Sequence, residues 1–221
     1  LEGDDGLIFN AKKAVFFGAH TDDEMVAAGT LHRLTRDGCE VAVVSFSPAA
    51  TADDRRGTER SANILYDEWL SSIELIGATG IFCPLSIWKP SATLAKYGDE
   101  LANYVYDYCE REMPDVMFCL SPEDENPAHA VVGVACERVA RGRVPTLVRC
   151  QFPWNYHLGR SNLYVALTEP ELKVKQAVID AYKSQHFRYR YGEMLMNYAR
   201  ADGLSVKVEA AEKFELVRGV I

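Results

Sequence analysis

Paired cysteines, long apolar runs and an excess of positive charge are all missing from this chain, and each absence excludes something. The six cysteines (Cys39, Cys83, Cys109, Cys119, Cys136 and Cys150) are widely spaced, and most lie in apolar stretches such as Val116 to Leu120. That distribution supplies neither a disulfide frame nor a Cys-based zinc ribbon, and it suits buried, reduced thiols in a cytoplasmic protein. No apolar run approaches the ~20 residues that cross a bilayer, so membrane insertion is not expected. With 24 Lys and Arg against 32 Asp and Glu, for a net charge of −8, the chain lacks the broad basic face that phosphate backbones require. No nucleic-acid partner is expected either. Internal repeats, low-complexity tracts and linkers rich in Pro, Gly or Ser are also absent, which leaves a single domain over residues 14–221. Residues 1–13 open on the acidic stretch Leu1 to Gly6, which reads as neither a secretory signal nor a transit peptide, and are expected to form a tail.

What is present alternates strand and helix. Ala14 to Gly18 is a short continuous apolar run of the kind that forms a strand buried on both faces. Met25, Ala28, Leu31 and Leu34 then recur at helical spacing, and Asp37-Gly38 stops the helix. Val41 to Phe46 gives a second buried strand, so the opening predicts a parallel pair with a right-handed crossover. The pattern continues as a helix over 56–76, a short strand over 80–84, a helix over 94–112, a strand over 115–120 and a helix over 130–140. After a segment from Thr146 to Phe152 the chain changes character. A strand near 163–167, a helix over 169–185 and a strand over 214–217 are expected there. The fold class is therefore α/β: a mostly parallel sheet flanked by helices, with a C-terminal elaboration.

Two polar segments interrupt this pattern where strands end. Ala19-His20-Thr21-Asp22-Asp23-Glu24 follows the first strand, and Ser121 to His129 follows the strand at 115–120. The carboxyl edge of an open α/β sheet is where ligands bind. An imidazole at His20 and a carboxylate at Asp23 are suitable ligands for a first-row metal, and His129 is the best candidate for a third. The competing use of Asp22, Asp23 and Glu24 is as a helix cap and favourable first-turn charge. His20 is not needed for a cap, and a second His stands at an equivalent edge.

These residues resemble a known family. Ala19 to Glu24 is similar to the Ala-His-Pro-Asp-Asp-Glu signature of the PIG-L/LmbE-like zinc-dependent N-deacetylases, with Thr21 in place of proline. Asp124-Glu-Asn126-Pro-Ala128-His129 resembles the family's Asp-x-His-Pro-Asp-His segment. Lys173 to Gln185, ending Tyr182-Lys-Ser-Gln185, resembles its C-terminal Lys and Ser-Gln pattern. The resemblance implies a Rossmann-like fold, with zinc on His20, Asp23 and His129 and Asp22 as general base. The same donors also accept Fe2+ or another divalent ion. It further implies removal of an N-acetyl or other N-acyl group from an amino-sugar-type small molecule.

The departures are as informative. Asn126 and Ala128 stand where the family has a His and an Asp that work as a pair. Asn126 can donate an amide hydrogen bond to an oxyanion but cannot act as a general acid at neutral pH. Asp22 is then expected to move the proton in both directions, helped by His157 or His186 if these are not merely surface or packed histidines. Alignment on Ile76-Gly77 retains Glu68 as a substrate-side residue but puts Leu65 where the family has an Arg. Trp154, Asn155, Tyr156 and Tyr164, together with the segment His186 to Tyr191, could form a sugar-binding wall, and His157 is counted with Glu68 and Trp154 as a substrate-side residue. Core packing, or subunit contact in a homo-oligomer, is the alternative use of these aromatics. A metal-binding family member with lost catalysis, acting as a sugar-ligand binding protein, is the second functional reading. A dinucleotide-binding Rossmann domain is disfavoured, since Gly18 leads into acids and no Gly-x-Gly-x-x-Gly follows.

Overall fold

Strand β1, Lys13–His20, is buried along all but its first residue, as its unbroken apolar run requires when both faces of a sheet are covered. The computed structural model describes residues 8–47, 62–83, 91–158, 160–186 and 190–220. Among them lie β2 (Glu40–Ser47), β3 (Thr79–Phe82), β4 (Val116–Leu120), β5 (Thr146–Cys150), β6 (Leu163–Ala166) and β7 (Ala211–Arg218). The helices are α1 (Ala28–Arg36), α2 (Ala62–Ile76), α3 (Gly98–Glu112), α4 (Pro127–Arg143), α5 (Glu169–Ala181) and α6 (Tyr191–Ser205). The seven strands form one sheet in the order β3-β2-β1-β4-β5-β7-β6. Strands β1 to β5 run parallel, while β7 pairs antiparallel with both β5 and β6.

The order places a topological switch between β1 and β4. The chain leaves β1 through α1 toward β2 and β3, then returns to the other side of β1 as β4. The loops leaving β1 and β4 therefore diverge in the chain but open side by side at one sheet edge, which leaves a crevice there. The core beneath is aromatic: Phe17 stacks on Phe46 and meets Tyr108 edge-on, and Phe118 does the same with Phe214.

Several boundaries differ from the sequence reading. The first helix is divided, with a 3-10 turn at Asp23–Ala27 ahead of α1. Another 3-10 turn, Ser91–Lys96, precedes α3, and the helix expected to reach Gln185 ends at Ala181 before a 3-10 turn at Lys183–Gln185. A 3-10 turn at Ile8–Asn10 precedes β1, Phe9 packs edge-on against Phe118, and Ala11 is buried. Packing thus begins ahead of residue 14. Helix α6 was not foreseen. The expected helix start at 56–61 lies outside the described residues.

Candidate metal centre

Strand β1 delivers His20 at its last position, and the 3-10 turn that follows brings Asp23 back toward it. The Asp23 carboxylate is fixed from behind, where Oδ2 accepts the backbone N–H groups of Ala19 at 2.7 Å and His20 at 2.9 Å. Gly18 makes room for this return: a Cβ there would lie 3.2 Å from the Asp23 Cβ and 3.1 Å from the Phe16 ring. The other carboxylate oxygen, Oδ1, then faces His20 Nδ1 at 3.6 Å and His129 Nε2 at 3.2 Å. His20 Nδ1 and His129 Nε2 are themselves 3.1 Å apart.

His129 arrives from the first turn of α4, which packs tightly over the end of β4. A Cβ on Gly133 would come within 2.6 Å of the Leu120 carbonyl oxygen and the Pro122 nitrogen, so the close approach needs glycine at that position. The imidazole is oriented by Asp124, whose Oδ2 lies 3.0 Å from Nδ1. Asp124 Oδ1 in turn accepts the Asn126 N–H at 2.8 Å and lies 3.4 Å from the Trp154 indole N–H. A carboxylate on the far nitrogen of a metal-binding His fixes its tautomer and raises its basicity.

Three buried donors therefore converge at mutual distances of 3.1 to 3.6 Å. Ligands held ~2.0–2.1 Å from a tetrahedral zinc are separated by about 3.3 Å, so the spacing of the set fits such an ion. Burial alone would raise the Asp23 pKa, but the adjacent His129 and His20 rings hold it well below the usual carboxylate range. Burial would likewise lower that of His129, yet Asp23 and Asp124 push it up to about 10. The anionic Asp23 carboxylate is the form that binds metal, whereas His129 must first give up its Nε2 proton.

Asp22 stands at the N-cap position of the 3-10 turn, half-buried, with no capping hydrogen bond from its side chain. The cap reading of that residue does not hold. Glu24 turns into the core, where Ser72 and Tyr182 donate to its Oε1 and burial pushes its pKa up to about 7. Asn126 is the N-cap of α4, its Oδ1 accepting the Ala128 N–H at 3.0 Å, and Ala128 is buried.

The predicted substrate-side residues divide. Trp154 stacks on Phe152 with ring centroids 4.4 Å apart and lies 6.3 Å from the His129 ring. Asn155 is fully buried and its Oδ1 accepts the Glu125 N–H, bracing the loop that carries Asp124. Glu68 has both carboxylate oxygens engaged by Ser184, one by its N–H at 2.8 Å and one by its hydroxyl, which ties α2 to the turn after α5. Leu65, at the position of the family's Arg, is buried. Tyr164 is exposed on the outer strand β6, and so is His186. The side chains of Tyr156 and His157 lie outside the described residues. Asp124 was matched to the family pattern without a role. Its spacing, five residues before His129 in an acidic loop, was the available signal.

Comparison with solved structures places the fold among known ones. N,N′-diacetylchitobiose deacetylase from Pyrococcus horikoshii, complexed with an inhibitor, matches with a TM-score of 0.68 at 19% identity, over 95% of this chain and 85% of that one. The 4-carboxy-2-hydroxymuconate hydratase GalB from Pseudomonas putida KT2440 matches at 0.74 and 19%, over 95% and 98% of the two chains. The zinc-inhibited form of the teicoplanin deacetylase Orf2 matches at 0.74 and 12%, over 92% and 97%. Two deacetylases and a hydratase share the architecture, so the fold alone does not select the reaction. No curated protein sequence matches the chain. At the level of sequence families, residues 15–140, more than half of the chain, match PIG-L, described as GlcNAc-PI de-N-acetylase. That span holds His20, Asp23, Asp124 and His129, and the chain belongs to the PIG-L family.

Proposed function

We propose that this chain is a zinc-dependent hydrolase that removes an acetyl or other N-acyl group from an amino-sugar-type small molecule. The observation that carries the reading is the convergence of His20 Nδ1, Asp23 Oδ1 and His129 Nε2 at one point. The PIG-L family match and two deacetylases of the same fold support the choice of reaction. When bound, zinc, or Fe2+ in its place, supplies Lewis acidity toward an amide carbonyl and acidifies water.

The remaining work falls to side chains. Asp22 accepts a proton from the attacking water as the new carbon–oxygen bond forms, and returns it to the nitrogen as the carbon–nitrogen bond breaks. The carboxylic acid so formed gives its remaining proton to the released amine, and the products are a carboxylate, acetate for an acetyl substrate, and an ammonium group. Asn126 has its oxygen committed to the helix cap and offers amide N–H groups to the developing oxyanion. Trp154, backed by Phe152, offers a flat apolar face to a sugar ring, and His157 is kept as a substrate-side residue. Glu68 is assigned to bracing the Ser184 turn, since both of its oxygens are occupied there. Six buried free cysteines suit a reducing compartment, so a cytoplasmic location belongs to the same proposal.

Metal analysis combined with acetate release from a panel of N-acetylglucosamine conjugates tests the reading. Asp22→Asn should leave metal content unchanged and lower kcat by about 100-fold or more. Unaltered acetate release by that variant would remove Asp22 from the mechanism. A second reading is favoured by Asn126 and Ala128, which replace the family's His and Asp: a metal-loaded protein that binds the conjugate without turning it over. Stoichiometric zinc, measurable sugar binding and no acetate from any member of the panel would select it.

A further inference from the structure

The stretch from Asp23 to Arg36 reads in sequence as one helix, yet it breaks at Ala27, which has φ −118° and ψ 13°. In an uninterrupted α-helix the Gly29 N–H would donate to the Met25 carbonyl and the Thr30 N–H to the Val26 carbonyl. In the structure these four groups bond to two side chains from distant parts of the chain. Glu212 of β7 accepts the Gly29 N–H on Oε1 at 3.0 Å and the Thr30 N–H on Oε2 at 2.7 Å. Lys175 of α5 donates to the Met25 carbonyl at 2.8 Å and the Val26 carbonyl at 3.1 Å. The two inserted groups are joined to each other, Lys175 Nζ to Glu212 Oε1 at 2.7 Å, and both are buried.

Two helical hydrogen bonds have thus been opened, and each half is bonded to one member of an ion pair. Side chains inserted into the helical ladder are a known cause of kinks. Ala27, at the N-cap position of α1, has no polar side chain with which to cap it, so Glu212 does so from across the sheet. All three ammonium donors of Lys175 are used, and both oxygens of Glu212. A well-packed apolar pair of similar volume would let the two helical bonds close, and such replacements of buried ion pairs are often neutral or stabilising. Stability alone does not account for the pair.

We propose that Lys175 and Glu212 are positioning residues for the metal site, holding the helix open at Ala27 so that the preceding turn aims Asp23 at His20 and His129. This rests on the reading that these three residues bind a divalent metal. The pair acts through the backbone at Met25 and Val26, two and three residues from Asp23, and at Gly29 and Thr30 beyond the break.

The test uses Co2+ as the probe, with its visible absorption band reporting ligand geometry and thermal unfolding of the metal-free protein reporting the fold. K175M/E212L should unfold cooperatively near the wild-type Tm but bind Co2+ about ten- to a hundred-fold more weakly, with an altered band. E212Q, which replaces one amide acceptor by a donor, should weaken binding by about ten-fold. A folded double variant with wild-type affinity and a wild-type band would overturn the proposal, because a merely structural pair changes Tm and leaves the loaded site alone. Where the double variant lacks a cooperative transition, E212Q decides by the same two readings. Failure of the wild-type protein to take up Co2+ would instead overturn the metal reading, and this inference with it.

Discussion

In the metal-free protein His129 should keep its proton far above neutral pH. Burial opposes that charge, but Asp23 Oδ1 lies 3.2 Å from Nε2 and Asp124 Oδ2 lies 3.0 Å from Nδ1, so each N–H of the imidazolium meets a carboxylate. The pKa rises from 6.5 to about 10. A raised folded value means that the charge stabilises the metal-free fold fully below pH 6.5 and ceases to do so as pH rises through about 10. Metal needs Nε2 and must displace that proton. At pH 7, about three units below the midpoint and at roughly 1.4 kcal/mol per unit, the displacement costs on the order of 4 kcal/mol. Apparent affinity at pH 7 should then be roughly a thousand-fold below that of the same site with a neutral ring. Imidazole NMR of the metal-free protein from pH ~5 to ~10.5 follows the five histidines, and H129N assigns the one of interest. One imidazole should remain protonated through pH ~9, and D124N, which removes one carboxylate, should bring its midpoint down by about a unit or more. The reasoning fails if all five imidazoles titrate below pH ~8.

Glu171 offers a stability counterpart away from the metal centre. Although it is fully buried, hydrogen bonds from Arg33 and the Thr168 N–H hold its carboxyl at about 2, and Arg36 adds a further pair. A depressed folded pKa contributes stability that is present above the unfolded value of 4.5 and lost as pH falls toward 2. Because Arg36 is half exposed, E171Q should cost roughly 2–3 kcal/mol near neutral pH, or about 5–10 °C in Tm, and flatten the acid limb of a stability curve. The two roles of Asn126 separate by substitution: N126A should lose the cap and about 1 kcal/mol, whereas N126D keeps the cap and loses the amide donors. Chemical denaturation beside acetate release reads both, and full activity in a stably folded N126D would rule out an oxyanion contact.

The parallel half of the sheet and the candidate cluster of His20, Asp23 and His129 were readable because both are local signals. Continuous apolar runs such as Ala14 to Gly18 mark strands buried on two faces, and His20, Asp23 and His129 sit just beyond two of them. Asp22, read as cap or base, required coordinates to show that it makes no cap. Helix α6 escaped because Gly192, Asp202 and Gly203 dilute its helical pattern, and propensity in such a window is a weak guide. The break at Ala27 was invisible for another reason. Nothing between Asp23 and Arg36 demands it; the residues that impose it stand 149 to 183 positions from the backbone groups they hold.

That separation bears on what defines the site. The family match ends at residue 140 and already contains every proposed ligand, so a motif-level description of the centre stops within α4. Yet polar contacts that constrain the ligand-bearing segments come from beyond that point. Asn155 holds the Glu125 backbone, Trp154 reaches Asp124, Tyr182 anchors Glu24, and Lys175 with Glu212 keeps the helix open behind Asp23. None of these groups lies in the family match. A chain with His20, Asp23 and His129 but without these partners would present the right donors in the wrong places, and a displacement of about 1 Å in a catalytic constellation is enough to cost ~100-fold in rate. The triad is necessary for the proposed chemistry, and the C-terminal third supplies the geometry that would make it sufficient to hold a metal.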